Sequence, residues 1–69
     1  MIKVWPSILT KGDVCRWKES AFIVLNVKMK TFPKGSPFRT AVTKYYVTVL
    51  FGSKVDIYTF YGGTQLTLL

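Results

Sequence analysis

The residues that can carry catalysis are few in this chain of 69 residues. Cys15 is the only thiol, and the sequence contains no histidine that could activate it. The only carboxylates are Asp13, Glu19 and Asp56, which lie far apart in the sequence. A catalytic nucleophile needs a neighbouring base, and acid–base catalysis needs two groups whose pKa values are driven apart. The sequence therefore predicts that the protein is not an enzyme and that it has no metal site, no cofactor and no small-molecule substrate.

Basic and aromatic residues form a more specific pattern in the middle of the chain. Half of the ten Lys and Arg residues lie between positions 28 and 44, with aromatic rings among them. If the segments on either side of residues 31–40 pair as strands, these side chains converge at one end of the domain. The candidate nucleic-acid or anion-binding residues are Lys28, Lys30, Phe32, Lys34, Phe38, Arg39, Lys44 and Tyr46. Lysines that follow phosphates and rings that stack on bases are typical of single-strand recognition, whereas the structural alternative is a solvated charge cluster with both Phe rings packed on the protein.

Net charge and hydropathy limit the classes of partner that the protein is expected to bind. A net charge of +7 attracts nucleic acid, acidic proteins or anionic lipid headgroups. A mean hydropathy of +0.26 is high for so small a domain. It indicates either an apolar patch covered by a protein partner or a second copy, or Tyr and Trp side chains that lie half-buried. No apolar run approaches the roughly 20 residues of a membrane span, and a single free cysteine favours a reducing, cytoplasmic compartment.

Short alternating segments must position these side chains. Residues 44–60 are rich in β-branched and aromatic residues and predict a hairpin with a turn at Gly52-Ser53. Residues 23–30 alternate strictly between apolar and mostly polar positions, which predicts a half-buried strand. Further strands are expected after the turn at Gly12-Asp13 and at the C-terminal end, and residues 31–40 are expected to form a long loop because they contain two prolines and a glycine.

The segments together predict an all-β domain over residues 12–69, with residues 1–11 as an N-terminal arm that packs on it. The arm contributes a short strand, a helical turn capped by Ser7, or both, with Trp5 packed on the domain. The count is five strands, or six with the arm, in a bent sheet that closes on itself to satisfy its edges. The predicted core is Val14, Trp17, Ile23, Leu25, Val27, Tyr45, Val47, Val49, Phe51, Val55, Ile57 and Leu66. On this assignment an Ile57→Asp substitution is expected to unfold the protein.

The segment Gly12-Asp13-Val14-Cys15-Arg16-Trp17-Lys18 resembles the opening of SH3-like small barrels, and the later apolar segments fall where that pattern places its other strands. The resemblance implies a small SH3-like barrel of about five strands, with the long loop between its second and third strands. The chain is also similar to short SH3-like proteins encoded by tailed, often marine, bacteriophages, which implies the host cytoplasm or a virion as its location.

Two functions follow as hypotheses. The first is a non-catalytic binding module that engages an anionic partner, either nucleic acid or an acidic protein surface, through its basic and aromatic end. The alternative is a structural or assembly component of a virion, or a host-protein binder, that acts through apolar surface and sheet edges.

Overall fold

The computed structural model describes residues 2–35 and 40–69, which contain six strands and no α-helix. The strands are β1 (Ile2–Val4), β2 (Val14–Trp17), β3 (Ser20–Phe32), β4 (Val42–Phe51), β5 (Lys54–Tyr61) and β6 (Leu66–Leu68). A single 3-10 turn, Pro6–Ile8, lies between the first two strands. The all-β prediction is confirmed, and the larger of the two expected strand counts is the correct one.

The strands form one antiparallel sheet in the order β1-β6-β2-β3-β4-β5. β2 to β5 follow each other as neighbours, and a turn closed by the Thr64 N–H donating to the Tyr61 carbonyl then leads into β6. β6 pairs with β1 and β2 on the far side of the sheet, so it does not bond to β5. The prediction of a sheet that closes on itself is therefore wrong for the described strands, because β1 and β5 remain its two edges.

A β-bulge in β3 reverses which side chains face the core. Val24 pairs with Val49 and Asn26 pairs with Thr48, so Leu25 is an extra residue without a direct partner on β4. An extra residue shifts the alternation by one position. Even-numbered residues therefore face the core before the bulge, and odd-numbered residues face it after the bulge. The uniform inward face predicted for this strand is therefore wrong: Ile23 faces outward, and Leu25 is only half-buried.

The β4–β5 hairpin has the predicted turn but a different inward face on its second strand. Phe51 and Lys54 flank the two-residue turn and pair directly, so they lie on the same face of the sheet. Even-numbered residues of β5 therefore face the core, and Phe60 is fully buried there. The prediction that Val55 and Ile57 are core residues is wrong, since their side chains are 65% and 60% exposed. Ile57→Asp is consequently no longer expected to unfold the protein.

The core draws side chains from every strand of the sheet. Its buried hydrophobic residues are Val4, Leu9, Cys15, Phe22, Val24, Val47, Val49, Phe60 and Leu66. Of the predicted core, Val47, Val49 and Leu66 are confirmed, and Trp17, Val27 and Tyr45 are partly buried and pack against it. Val14 and Phe51 are exposed, so their assignment to the core is wrong. Val14 pairs with outward-facing Ile23 and shares its face, and Phe51 adjoins the exposed turn at Gly52-Ser53.

Edge-to-face aromatic packing fills the part of the core between β2 and β5. The Trp17 and Phe60 ring centroids lie 5.1 Å apart, and those of Phe22 and Tyr58 lie 5.2 Å apart, both in near-perpendicular pairs. Such pairs contribute about 0.5–1.5 kcal/mol beyond the burial of their area. Because Trp17 lies on β2 and Phe60 on β5, on opposite sides of β3 and β4, their contact requires the sheet to bend around the core.

The first residues of the chain join the sheet through β1, which pairs with β6 from Ile2 to Val4. Pro6 is buried at the start of the 3-10 turn, where its missing N–H costs nothing. The residue in the cap position is Trp5, whose side chain makes no capping hydrogen bond, so the predicted Ser7 cap is wrong. Trp5 is largely exposed. The predicted turn at Gly12-Asp13 is present, and the Asp13 carboxylate accepts a hydrogen bond from the Thr10 N–H at 2.9 Å.

The strand before the predicted loop 31–40 is longer than expected, because Thr31 and Phe32 belong to β3; with the arm's strand counted, it is the third strand of the sheet. β3 continues to Phe32, which pairs with Val42 at the start of β4. The Thr31 and Thr43 hydroxyl groups also lie within hydrogen-bond distance of each other, at 3.2 Å. These cross-strand contacts extend the ladder up to Pro33, which has no N–H to donate to it.

Candidate anion-binding face

Strands β3, β4 and β5 bring the central basic residues together on the face of the sheet opposite the core. Lys28 lies directly across from Tyr46, and Lys30 lies directly across from Lys44. Because alternate residues of a strand share a face, Phe32 extends the same surface one step beyond Lys30. The sequence thus anticipated five members of one continuous surface, and the pairing of β3 with β4 is what joins them.

Tyr61 is a sixth member that the sequence analysis missed. It lies directly across from Lys44 on β5, and the Lys44 Nζ is 5.5 Å from the centre of its ring. The two-residue turn at Gly52-Ser53 contained the necessary signal, since pairing Phe51 with Lys54 also pairs Lys44 with Tyr61. We call Lys28, Lys30, Phe32, Lys44, Tyr46 and Tyr61 the basic face.

Two ammonium groups share one aromatic ring on the basic face. Lys30 Nζ lies 5.1 Å and Lys44 Nζ lies 5.3 Å from the centre of the Phe32 ring. A cation within about 6 Å of a ring is attracted by the negative charge density of its face, by roughly 0.5–1 kcal/mol at an exposed site. Phe32 therefore holds both ammonium groups near the same point of the sheet.

Like charges face each other directly at the centre of this surface. Lys30 and Lys44 are cross-strand partners, an arrangement that destabilises an antiparallel pair. The three carboxylates belong to other parts of the chain: Asp13 precedes β2, Glu19 lies in the β2–β3 turn, and Asp56 is the third residue of β5. Asp56 also accepts a hydrogen bond from the Ile57 N–H at 2.8 Å. The basic face is therefore a local concentration of positive charge.

The remaining candidate residues lie in the sequence between β3 and β4. Lys34 is exposed, two residues beyond the end of β3. The candidates Phe38 and Arg39 lie outside the described residues.

The groups considered for catalysis occupy structural positions. Cys15 is fully buried, and burial raises the pKa of its thiol above the ordinary value of 9.0, with a further upward contribution from the charge of Asp13. A buried, protonated thiol is a poor nucleophile. Within residues 2–35 and 40–69, no three Cys, Asp or Glu side chains come close enough together to hold a metal ion.

A second feature of the outer face is apolar. Val14, Ile23, Leu50 and Val55 pair in succession across β2, β3, β4 and β5, and we call them the apolar row. Ile57 lies beside this row, on the next outward-facing position of β5. Leu50 lies six positions along β4 from Lys44, which corresponds to about 20 Å of extended chain. The outer face therefore has an apolar end and a basic, aromatic end.

Comparison with known proteins returned no match: no family model fits the chain, and no curated protein or solved structure is significantly similar to it. In the part of the chain that the structure describes, no helix has the length and apolar character needed to cross a membrane.

Proposed function

We propose that the protein is a non-catalytic binding module that engages an anionic partner, nucleic acid or an acidic protein surface, through the basic face. The observation that carries this proposal is the direct pairing of Lys30 with Lys44. An anion placed between the two ammonium groups replaces their repulsion with two attractions. The repulsion between Lys30 and Lys44 thus lowers the stability of the free protein at the position where a bound anion is attracted most strongly.

The position of the lysines on a sheet supports the same function. The lysine backbones are fixed by the ladder between β3 and β4, and the Phe32 ring restrains the ammonium groups of Lys30 and Lys44. Binding an anion therefore requires less ordering of flexible side chains than it would on a loop, and the entropic cost of association falls.

We also propose that the module is related in fold to SH3-like small barrels, as an open version in which the edge strands β1 and β5 do not pair, and that it is of phage origin and acts in the host cytoplasm or in a virion. The succession of β2 to β5 as neighbouring strands, with β6 returning beside β2, supports the fold part of this proposal. The shared burial of Val4 from one edge strand and Phe60 from the other supports it too, since both belong to one core. The phage origin rests on the resemblance of residues 12–18 alone.

Binding is tested by titrating the protein into labelled oligonucleotides and into an acidic polypeptide such as polyglutamate over a series of salt concentrations. Binding that weakens steeply with salt is expected. Lys30→Gln with Lys44→Gln should lower the slope of log affinity against log salt by about 1.4 on a single strand, at about 0.7 for each phosphate contact. The matched control is Lys11→Gln with Lys54→Gln, which removes equal charge near the apolar end. Absence of binding to every polyanion at low salt would refute the proposal.

A second candidate function is supported by the apolar row. Outward-facing apolar residues in direct succession across four strands, three of them exposed, together with the open edge of β5, suit a structural or assembly component of a virion or a host-protein binder. Size-exclusion chromatography with light scattering tests self-assembly, and copurification from the native source tests a host partner. This candidate would be excluded if the protein were strictly monomeric and copurified with no partner that contacts the apolar row at Val55.

A further inference from the structure

The two tyrosines of the basic face lie at separate positions on the sheet. Tyr46 lies across from Thr59, and Tyr61 lies across from Lys44, so the two tyrosines are diagonal neighbours on β4 and β5. Diagonal neighbours on one face of an antiparallel pair are about 7–8 Å apart. Tyr61 is 54% exposed and Tyr46 is half-buried, so both rings reach the surface from which the lysines project.

We propose that the basic face binds single-stranded nucleic acid in preference to a duplex, with bases stacked on Tyr46 and Tyr61 and phosphates held by Lys28, Lys30 and Lys44. This inference rests on the proposed function and names the partner that the same site takes. It assigns the tyrosines the role of distinguishing a single strand from other polyanions.

The spacing of the two tyrosine positions on the sheet favours a single strand. Successive bases in a duplex strand are about 3.4 Å apart along the axis, about half the spacing of the two tyrosine backbone positions. Bases that occupy both rings must therefore separate from each other, which a single strand does at low cost and a duplex does only by unpairing. A duplex reaches the lysines with its phosphates but leaves the rings unused.

Phe32 has a different role from the tyrosines. Its ring lies close to the ammonium groups of both Lys30 and Lys44, so it positions the groups that contact phosphate. From β3 toward β5, one row of the basic face runs from Lys28 to Tyr46, and the next runs from Lys30 through Lys44 to Tyr61. A nucleic-acid strand that follows either row passes from lysine to an aromatic ring, whereas the carboxylates of an acidic protein would use only the charge. This difference favours nucleic acid over an acidic protein surface.

The first test compares ligands on the unmodified protein. The probes are oligothymidylate of about 12 nucleotides, its duplex with oligoadenylate, and polyglutamate, each followed by fluorescence anisotropy during a salt titration. We expect the single strand to remain bound at salt concentrations that release the duplex and polyglutamate, because stacking is insensitive to salt. Release of the single strand and the duplex at the same salt concentration would overturn the inference.

The second test removes the rings and keeps the charges. Tyr46→Leu and Tyr61→Leu should each weaken single-strand binding by about 5- to 150-fold, the range that one stacked base contributes. Tyr61→Phe keeps the ring and should retain affinity. Trp5→Leu removes an exposed ring elsewhere and is the matched control. Duplex binding should not change in any of these variants.

The outcomes separate this inference from the function on which it rests. If the Leu variants bind the single strand as tightly as the unmodified protein, while Lys30→Gln with Lys44→Gln loses affinity, the stacking role is refuted and the anion-binding function stands. If no polyanion binds at low salt, both are refuted. Circular dichroism verifies that each variant is folded, and the exposure of Tyr61 makes its Leu variant the safest of them.

Discussion

Lys30 and Lys44 face each other directly across β3 and β4, and their ammonium groups lie 5.1 and 5.3 Å from the centre of the same Phe32 ring. The ring attracts each cation, while the two cations repel each other. Both effects are of the order of 1 kcal/mol or less at an exposed site. The Phe32 ring therefore holds the two lysines together, although their mutual repulsion lowers the stability of the free protein.

Lys30→Glu should stabilise the free protein and impair anion binding. The substitution turns a like-charge pair into an attractive one, and the expected gain is at most about 1 kcal/mol because the pair is exposed to solvent. Urea unfolding at low salt measures the gain, and the binding titration measures the loss. Lys54→Glu is the control, because it changes the net charge equally but faces Phe51. If both substitutions raised the free energy of unfolding equally, the effect would come from net charge alone.

Ile57→Asp should leave the protein folded, whereas Val47→Asp should unfold it. Ile57 is mostly exposed on the outer face, while Val47 is fully buried in β4. An unpaired carboxylate in the core costs several kcal/mol, which is comparable to the whole stability of a domain of this size. Circular dichroism and thermal melts distinguish the two variants. If Ile57→Asp unfolded and Val47→Asp kept its structure, the assignment of Ile57 to the outer face and Val47 to the core would be wrong.

Gly52→Ala should destabilise the protein by about 1 kcal/mol, through backbone strain alone. Gly52 has a φ of +63° in the β4–β5 turn, and a methyl group there would meet no atom within 4 Å. Gly63→Ala is the matched control, because its position is equally open and does not require a positive φ. Denaturant melts of both variants measure the difference. Equal effects would show that the turn conformation is not the cause.

The Cys15 thiol should be protected in the native state and should make stability depend on alkaline pH. Its folded pKa is raised by burial, then by the charge of Asp13, whereas the unfolded chain ionises near the ordinary value of 9.0. Above that pH the unfolded state binds fewer protons than the native state, so the free energy of unfolding falls as pH rises. The contribution is complete below the unfolded pKa and is lost as pH rises toward the folded pKa.

Two measurements check this behaviour of Cys15. A thiol reagent should modify the native protein far more slowly than the protein in urea. Between pH 7 and pH 10, a window that spans the ordinary pKa, the unmodified protein should lose more stability than Cys15→Ala, which lacks the titrating group. Fast modification of the folded protein, or parallel pH profiles for the two proteins, would contradict the burial of the thiol.

The errors in the sequence analysis have separate physical causes. The turn at Gly52-Ser53 was predicted correctly, and strict use of its two-residue length would also have placed Phe60 inward and Val55 outward. The bulge at Leu25 had no comparable signal, because every position from Phe22 to Leu25 is apolar and therefore suits either face. Val14 was misplaced with Ile23, because the two are partners on the same side of the sheet.

By itself the sequence determined the strand character of the chain, its turns and its excess of positive charge. These properties are local: β-branched residues, glycines and charges express them without reference to the rest of the chain. Only the tertiary structure decided which face of each strand is buried, that the sheet stays open, and that Tyr61 joins Lys30 and Lys44. Those outcomes depend on strand register, which one extra residue at Leu25 shifts and which packing between distant strands selects.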